Sequence, residues 1–514
     1  MDLLLGIDIG TYESKGVVVE AASGRIVSQA AREHSVAIPR PGWVEHDAES
    51  IWWSDFVALC RQLLSHPEVS AENIRAVGVS AIAPTMLAID RTGRPLRPAI
   101  LYGIDTRTVQ EIEDLTHVLG HEWLMEHAGS ALSTQSAGPK ILWFRRHEPE
   151  LYRQTWKILT ASSYLVFRLT GRVVIDHYTA VAFAPLYDLP AQSWSETSAA
   201  LICDLDMLPD LHWTTEVVGE VTAGAAQETG LRPGTPVITG TADAAAEAIA
   251  AGVTRPGDCM IMYGTTVFFI TICNYLLRGG MLWPTVFLVP GTYALTAGMA
   301  TAGAIIRWFR DQFAPLELRI EMEGGPPAYE VLAHLAAESP PGSRGLVVLP
   351  YFSGERTPIH DPHARGLILG LTISHHRSDI YRALLEGIAY GIRHNIEAMI
   401  EMGAEPSRLI AIGGGTKNPV WLQIVSDVLG RPQEVRSSLG AAYGDAFLAG
   451  MGIGYFQSLT DVLNWLGPAF QVEPIPAHVR YYDSYYEIYR ELYPRLRDLM
   501  RKLVDLETFV GGHS

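Results

Sequence analysis

Runs of apolar, β-branched residues alternate along this 514-residue chain with segments of helical periodicity. The amphipathic repeat predicts a long helix over residues 376–402. A second helix is predicted over 418–429, with Asn418 as its N-cap, Pro419 at its first position and Gly430 after its end. The apolar runs predict buried strands at 3–9, 16–19, 74–80, 237–239, 259–263, 267–272, 345–349 and 409–412. This alternation is typical of an α/β fold.

Two of these strands run into similar turns, Gly10-Thr11 near the start and Gly264-Thr265-Thr266 near the middle. A chain of this length is too long for one core. We therefore predict two similar lobes with a cleft between them. The predicted divisions are 1–245, 246–455 and a helical tail, 456–514, which packs on the second lobe through five tyrosines at helical spacing: Tyr481, Tyr482, Tyr485, Tyr486 and Tyr489.

A long uncharged region allows a different interpretation. Residues 259–277 and 279–306 contain no Asp, Glu, Lys or Arg, and either stretch is long enough to cross a bilayer. Glycine at 264 and prolines at 284 and 290 interrupt them, however, and the first is rich in strand-forming residues. We expect buried strands and no membrane partner.

Composition narrows the class of protein. The formal net charge is −17, which argues against a nucleic-acid partner or an anionic membrane surface. Four cysteines without paired spacing suggest a reducing compartment and no structural zinc. The N-terminal residues lack the basic and cleavage features of a signal peptide, so a cytoplasmic location is expected. The sequence also lacks the motifs of Walker ATPases, dinucleotide dehydrogenases, zincins and nucleophile-elbow hydrolases.

The first turn carries candidate phosphate chemistry. Gly10 allows backbone amides to face an anion, Thr11 adds a hydroxyl, and Lys15 follows shortly. Asp8 can hold a hydrated Mg²⁺. The alternative is a plain hairpin in which Asp8 makes an Asx turn. Because a similar turn occurs at Gly264, we hypothesise that each lobe contributes one phosphate-binding turn.

Two further motifs are candidates. Asp243 follows a short strand and precedes an alanine-rich segment, where a carboxylate can accept a substrate hydroxyl proton. It can equally cap the following helix. Gly413, Gly414 and Gly415 permit close approach to a flat ring, although by themselves they also suit a flexible turn.

Taken in order, these motifs resemble the FGGY family of carbohydrate kinases. The most specific segment is GLVVLPYFSGERTP at 345–358, followed by DP at 361–362 and ARG at 364–366. Segments similar to the family also occur in the first lobe, PGWVE at 41–45, PKILW at 139–143 and RLTG at 168–171. The resemblance extends from residue 6 to about residue 454.

The resemblance implies a two-lobed fold of the actin/hexokinase type, each lobe built on a ribonuclease-H-like sheet, with ATP and Mg²⁺ in the nucleotide cleft between them. It implies that Asp243 is the catalytic base and that Asp8 is the metal-associated carboxylate. The remaining implied contacts are Gly10, Thr11, Lys15, Gly264, Thr265 and Thr266 for phosphate, and Gly413, Gly414, Gly415 and Asn418 for adenosine.

The substrate is implied less directly. Asp243, Tyr102 and Asp105 are the expected sugar contacts, but the family's contact pair falls on Ala83 and Pro84, which carry no side-chain polar atom. Glycerol is therefore disfavoured and a ketopentose such as xylulose is expected. The alternatives are another ketose or polyol, a sugar or nucleotide sensor without catalysis, and an actin-like assembly protein. A homodimer is expected only because dimers are common among soluble enzymes.

Overall fold

Two seven-stranded sheets whose central strands follow the same order form the framework of the molecule. The computed structural model describes residues 1–437 and 439–511. The strands of the first part of the chain are β1 Leu3–Ile9, β2 Glu13–Glu20, β3 Ile26–Glu33, β4 Glu45–His46, β5 Ile74–Ala81, β6 Leu87–Ile89, β7 Ala99–Ile100, β8 Lys157–Leu159, β9 Val174–Asp176, β10 Tyr187–Asp188, β11 Ser193–Trp194, β12 Asp210–His212, β13 Val217–Glu220, β14 Pro236–Ile238 and β15 Thr241–Ala242. Its helices are α1 Ser54–Leu64, α2 Val109–Leu119, α3 His121–Trp123, α4 Ala137–His147, α5 Pro149–Gln154, α6 Ala161–Thr170, α7 His177–Val181, α8 Glu196–Ile202, α9 Ala223–Thr229 and α10 Asp243–Ala250.

The second part of the chain repeats the plan. Its strands are β16 Asp258–Tyr263, β17 Val267–Cys273, β18 Trp283–Val286, β19 Tyr293–Met299, β20 Val347–Leu349, β21 Leu367–Leu369, β22 Arg408–Ile412, β23 Gln433–Val435 and β24 Phe470–Val472. Its helices are α11 Gly303–Phe313, α12 Pro315–Met322, α13 Ala328–Glu338, α14 Arg377–Glu401, α15 Pro419–Leu429, α16 Ala441–Gly452 and α17 Pro476–Gly511. The predicted strands and both predicted helices are confirmed, with Asn418 as the N-cap of α15 and Gly430 in the left-handed conformation after its end.

The sheet orders show why the two glycine turns are equivalent. The first sheet runs β13-β14-β5-β1-β2-β3, with β15 as a seventh strand beside β5, and the second runs β18-β19-β17-β16-β22-β23-β24. In each, an antiparallel hairpin, β1–β2 or β16–β17, has a parallel neighbour, β5 or β22. The hairpin turns therefore occupy corresponding places at the sheet edges that face the cleft. The expected two-lobed α/β architecture is confirmed.

Helices α10 and α16 lie between the two sheets and form a shared apolar core with both. The packing is so close that it requires glycine. A Cβ on Gly6 of β1 would lie 1.8 Å from the Ala442 carbonyl oxygen of α16, and one on Gly444 would lie 1.9 Å from the Ala246 oxygen of α10. The predicted division at 245 thus falls inside α10, and α16 lies against the first sheet as well as the second.

The tail helix α17 packs on the second lobe through one face. Tyr482, Tyr486 and Tyr489 are buried in that lobe's core, whereas Tyr481 is 47% exposed. The Tyr482 hydroxyl donates to Glu386 of α14 (2.8 Å), a contact that joins the tail to the long central helix.

The uncharged region forms the second hairpin and its neighbouring strands. β16 and β17 are almost wholly buried on either side of the Gly264 turn. Within residues 1–437 and 439–511, no helix combines the length and the hydropathy needed to cross a bilayer.

Candidate active site

Asp8 sits near the end of β1, directly beside Ser80 of β5 in the parallel pairing. The Ser80 hydroxyl lies 3.0 Å from Asp8 Oδ1 and 2.7 Å from Asp445 Oδ2, so it bridges the two carboxyls. Burial raises the pKa of Asp8, and the charge of Glu247 adds to that rise, while the Ser80 hydrogen bond opposes it. The Ser80 hydroxyl therefore holds the Asp8 carboxyl in one orientation.

Asp243 is the first residue of α10 and follows the short strand β15, which also pairs with β5. The N-cap of this helix is Ala242 and no side-chain cap hydrogen bond is present, so Asp243 is not the capping residue. Its Oδ1 accepts the Ala244 amide at 2.7 Å, which orients one carboxyl oxygen. Burial raises the pKa of Asp243 well above that of a free carboxyl, and the charges of Asp8 and Glu247 raise it further. A carboxylate with a raised pKa is a suitable general base near neutral pH.

The strand leading to Asp243 is held by a second buried carboxyl. Asp176 accepts hydrogen bonds from Thr241 (2.8 Å) and Thr214 (3.0 Å) through Oδ2. Thr241 stands two residues before Asp243. Asp176 therefore fixes the approach of the chain to the candidate base.

Lys15 lies opposite Asp8 in the β1–β2 hairpin, and directly opposed residues project on the same side of a sheet. Its amino group pairs with Glu13 at 2.8 Å and is half exposed. The structure places this cation next to the first turn, where Glu13 already binds it, and its contact with phosphate stays a prediction.

The two glycine turns have matching hydrogen bonds. The Gly10 amide donates to the Glu13 carbonyl (3.0 Å) and the Gly264 amide donates to that of Thr266 (2.9 Å). Each glycine amide is thus used inside its own turn. The amides available to a phosphate belong to the residues that follow, beginning with Thr11 and Thr265.

The glycine segment 413–415 adjoins the second turn because β16 and β22 run parallel and end at the same edge. A Cβ on Gly413 would lie 2.7 Å from the Tyr263 carbonyl oxygen, and one on Gly415 would lie 2.5 Å from the Trp421 ring, whereas Gly414 faces open space. Asn418 Oδ1 caps α15 by accepting the amides of Val420 and Trp421 at 3.1 Å. Gly414 is therefore the member of the segment that offers a bare surface to a flat ring.

A cavity of about 420 Å³ lies between the lobes and includes Asp243. Apolar residues form one wall, among them Ile82, Ala83 and Pro84. The polar side chains of its lining come from both lobes and include Tyr102, Gln135, Tyr178, Glu247 and Arg356. The predicted sugar contact Tyr102 is thus at the cavity.

Arg356 was not identified as a site residue from the sequence, although it belongs to the segment that carries the family resemblance. Its neighbour Glu355 accepts the amides of Ala300 (2.7 Å) and of Arg356 itself (2.8 Å), which fixes the backbone there. Across the described ranges, the half-buried guanidinium has no hydrogen-bond or ion-pair partner. Such a cation suits an oxygen-rich or anionic ligand.

Glu247 was also missed, and its spacing could have revealed it. It lies one helical turn after Asp243 and therefore on the same face of α10. Local spacing does not reveal Gln135 and Tyr178, because they lie far from Asp243 in the sequence and only the fold places them at the cavity.

Asp105 differs from the prediction. It is fully buried and does not line the cavity. Both of its oxygens bind Arg107, at 2.7 to 3.0 Å, and Oδ2 also accepts the Val44 amide (2.7 Å). With its acceptors already used, Asp105 supports the loop that carries Tyr102 and is not a sugar contact.

Residues 3–250 match the N-terminal domain of the FGGY family of carbohydrate kinases, and residues 259–453 match the C-terminal domain. A xylulose kinase of Bacillus subtilis is 30% identical over 90% of each chain, and a glycerol kinase of Nocardia farcinica is 32% identical over 89% of this chain and 92% of that one. The crystal structure of a xylulose kinase from Rhodospirillum rubrum superimposes with a TM-score of 0.89 at 32% identity, covering 97% of this chain and 99% of that one.

The chain therefore belongs to the FGGY family of carbohydrate kinases. It is a phosphotransferase, an ATP-dependent sugar kinase, and the predicted family and fold are confirmed. Kinases of this family use ATP, generally with Mg²⁺. The described residues contain no cluster of three or more His, Cys, Asp or Glu arranged as a metal site.

Proposed function

We propose that this kinase phosphorylates a ketopentose such as xylulose, with Asp243 as general base and Mg·ATP as phosphoryl donor. The observation that carries the proposal is the position of Asp243, half-buried in the cavity between the lobes, with a carboxyl whose pKa is raised by burial. The names of two relatives, both xylulose kinases, support the choice of sugar. The four cysteines are free and buried, which supports a reducing cytoplasmic location.

In the proposed reaction a substrate hydroxyl oxygen attacks the γ-phosphorus of ATP and the bond to the β-phosphate oxygen breaks. Asp243 accepts the hydroxyl proton, and the products are a sugar phosphate and ADP. Phosphoryl transfer needs positioning and charge neutralisation more than covalent chemistry. The turns at Gly10 and Gly264 would supply amide donors, Gly414 and Asn418 would face the adenosine, and Mg²⁺ beside Asp8 would neutralise phosphate charge.

A second candidate follows from the apolar wall at Ile82, Ala83 and Pro84. A wall without polar side chains suits a different ketose or polyol, or a protein that binds sugar without phosphorylating it. Asp243 favours catalysis, because a sensor needs no hydroxyl base.

The test is an ADP-release screen over pentuloses, hexuloses, aldoses and polyols with the wild type and Asp243→Asn. We expect the greatest stimulation by a ketopentose and a loss of about 100-fold or more in kcat for the variant, the range of a positioned base. Asp206→Asn, an exposed carboxyl, is the control. Turnover that survives Asp243→Asn, or that no sugar stimulates, would refute the proposal.

A further inference from the structure

Two histidines stand behind the first phosphate turn. His34 follows β3, and its Nε2 lies 3.1 Å from the Gly10 carbonyl oxygen while its Nδ1 lies 2.9 Å from Asp55 Oδ2. The side chain of His34 is only 7% exposed. Its ring therefore connects helix α1, which carries Asp55, with the turn.

The two atoms that His34 contacts indicate which of its ring nitrogens donate hydrogen bonds. A carbonyl oxygen and a carboxylate oxygen only accept hydrogen bonds, so both ring nitrogens must donate for both contacts to be favourable. Asp55 is itself fixed, because Arg32 donates to Oδ1 (2.9 Å) and Ser14 to Oδ2 (2.8 Å). Burial pushes the pKa of Asp55 upward, but the hydrogen bonds with His34, Ser14 and Arg32 outweigh it and the net pKa is lowered. Asp55 is thus an ionised acceptor that orients the His34 ring.

His46 fills the space next to this pair. It is fully buried, and its ring meets the His34 ring edge-on at 5.2 Å. Trp52 donates to its Nδ1 at 3.1 Å, which leaves the proton on Nε2. Burial and the neighbouring His34 charge lower the pKa of His46 to about 4, and the Thr11 carbonyl opposes that change. The buried Nε2 makes no hydrogen bond of normal geometry, so His46 packs against the turn and His34 makes the direct contact.

The second turn has a different support. Its Gly264 carbonyl accepts the Gly303 amide, and its Thr265 carbonyl accepts those of Ala302 and Ala304, each at 3.0 Å. These donors belong to the start of α11. In both turns, then, a donor behind the turn holds a carbonyl, but only the first turn uses a side chain for it.

We infer that His34, oriented by Asp55, is a positioning residue that holds the Gly10 carbonyl away from the cleft and so presents the following amides to the nucleotide phosphates. The inference rests on the proposed nucleotide role of this turn. The physical reason is that a peptide plane is rigid, so fixing a carbonyl on one side fixes the direction of the next N–H on the other.

Two substitutions that differ by one methylene test this. In His34→Asn the amide reaches the position of Nδ1 and the contact with Asp55, but not Gly10. In His34→Gln the amide N–H reaches the position of Nε2 and can donate to the Gly10 carbonyl. His117→Ala, at an exposed histidine of α2, is the control.

Binding of the β,γ-imido analogue of Mg·ATP and of D-xylulose is measured by calorimetry, with thermal unfolding to confirm folding. We expect His34→Asn to weaken analogue binding by about fivefold to 10-fold, the equivalent of one lost hydrogen bond. His34→Gln should restore it to within about threefold of wild type, because its amide can donate to the same carbonyl, and sugar binding should not change. Equal binding by His34→Asn and wild type, or no recovery in His34→Gln, would overturn the inference. If the wild type itself fails to bind the analogue, the proposed function falls and the inference with it.

Discussion

The hydroxyl of Tyr102 lies 2.9 Å from the hydroxyl of Thr11. Tyr102 belongs to the wall of the cavity between the lobes, and Thr11 belongs to the turn between β1 and β2 for which we propose phosphate binding. Burial raises the pKa of Tyr102, and the nearby Asp243 charge raises it further, so the phenol remains protonated and can donate. The hydrogen bond joins the part of the cleft assigned to sugar with the part assigned to phosphate.

Tyr102→Phe removes this bond and keeps the ring. We expect kcat/KM for the sugar to fall about threefold to tenfold, the equivalent of one hydrogen bond of about 1 kcal/mol. Steady-state kinetics with each substrate varied in turn would measure it. Tyr455→Phe, at an exposed tyrosine, should have no effect, and an unchanged kcat/KM in Tyr102→Phe would show that the bond does not contribute.

Glu247→Gln should shift the pH profile of kcat/KM to lower pH. Asp243 must be ionised to accept a proton, so activity falls as the pH drops through its pKa. The Glu247 charge contributes to raising that pKa. Removing the charge lowers the pKa, so the acid limb of kcat/KM should shift to lower pH and activity below the limb should rise. A limb that stays in place, or moves to higher pH, would contradict the assignment of Asp243 as the group that titrates. Glu338→Gln on α13, an exposed carboxyl, is the control.

Arg356→Met should raise the stability of the protein and lower its affinity for the sugar. An unpaired, half-buried cation costs free energy in the folded protein, so the variant should unfold at a higher temperature than wild type. If the guanidinium binds substrate, KM for the sugar should rise about 10-fold or more. Thermal unfolding and kinetics on the same preparation test both statements. Arg310→Met, at a partly buried arginine of α11 that pairs with Asp311 and does not line the cavity, should leave KM unchanged. A normal KM in Arg356→Met would remove Arg356 from the substrate site.

Asp445→Asn should change the pH dependence of stability. Burial raises the pKa of Asp445 well above its ordinary value of 3.8, and the charges of Asp8 and Asp243 raise it further. The folded protein therefore holds this proton more tightly than the unfolded chain. Its contribution to stability is full below the unfolded pKa and is lost as the pH rises toward the folded pKa.

An amide at this position does not titrate. The gain in melting temperature of Asp445→Asn over wild type should therefore be larger at pH 8 than at pH 5. Thermal denaturation at both values gives the difference, with Asp206→Asn at the surface as the control. A gain that shrinks with rising pH would contradict the raised pKa.

Gly6→Ala should be severely destabilising. The added methyl would lie 1.8 Å from the Ala442 carbonyl oxygen. This oxygen belongs to the backbone of α16, so it cannot move aside as a flexible side chain could. We expect a loss of at least about 3 kcal/mol in the free energy of unfolding, the upper end of the usual cost of overpacking. Urea denaturation measures it.

Gly224→Ala provides the matched comparison. Gly224 lies in α9, and a Cβ there meets no atom within 4 Å. This change should stabilise the protein by about 0.5–1 kcal/mol through helix propensity. Near-wild-type stability of Gly6→Ala would show that the two sheets do not pack against α10 and α16 as closely as described.

The hydrophobic pattern of the sequence was sufficient to predict the strands that carry the two Gly-Thr turns. Strand β1 was predicted at its observed bounds, and the two Gly-Thr turns were expected at corresponding places before any sheet order was known. Each depends on local chemistry: β-branched runs for buried strands, and glycine where a hairpin must turn tightly. The capped start of α15 at Asn418 was predictable for the same reason.

Other parts of the site depend on residues far apart in the chain. Ser80 bridges Asp8 and Asp445, whose positions differ by hundreds of residues. Asp105 looked like a sugar contact in its local motif, but Arg107 and the Val44 amide already bind it. Local sequence cannot show which acceptors are used by distant partners.

The sequence by itself determined the family, the α/β class, the paired turns and the candidate base Asp243, because these depend on periodicity, on glycine and on a short motif. Only the tertiary structure decided that Arg356 and Glu247 share a cavity with Tyr102, and that His34 supports the Gly10 carbonyl. The physical reason is that burial, pKa and hydrogen-bond direction depend on how two lobes and the helices between them pack, and that packing joins segments that are distant in the chain.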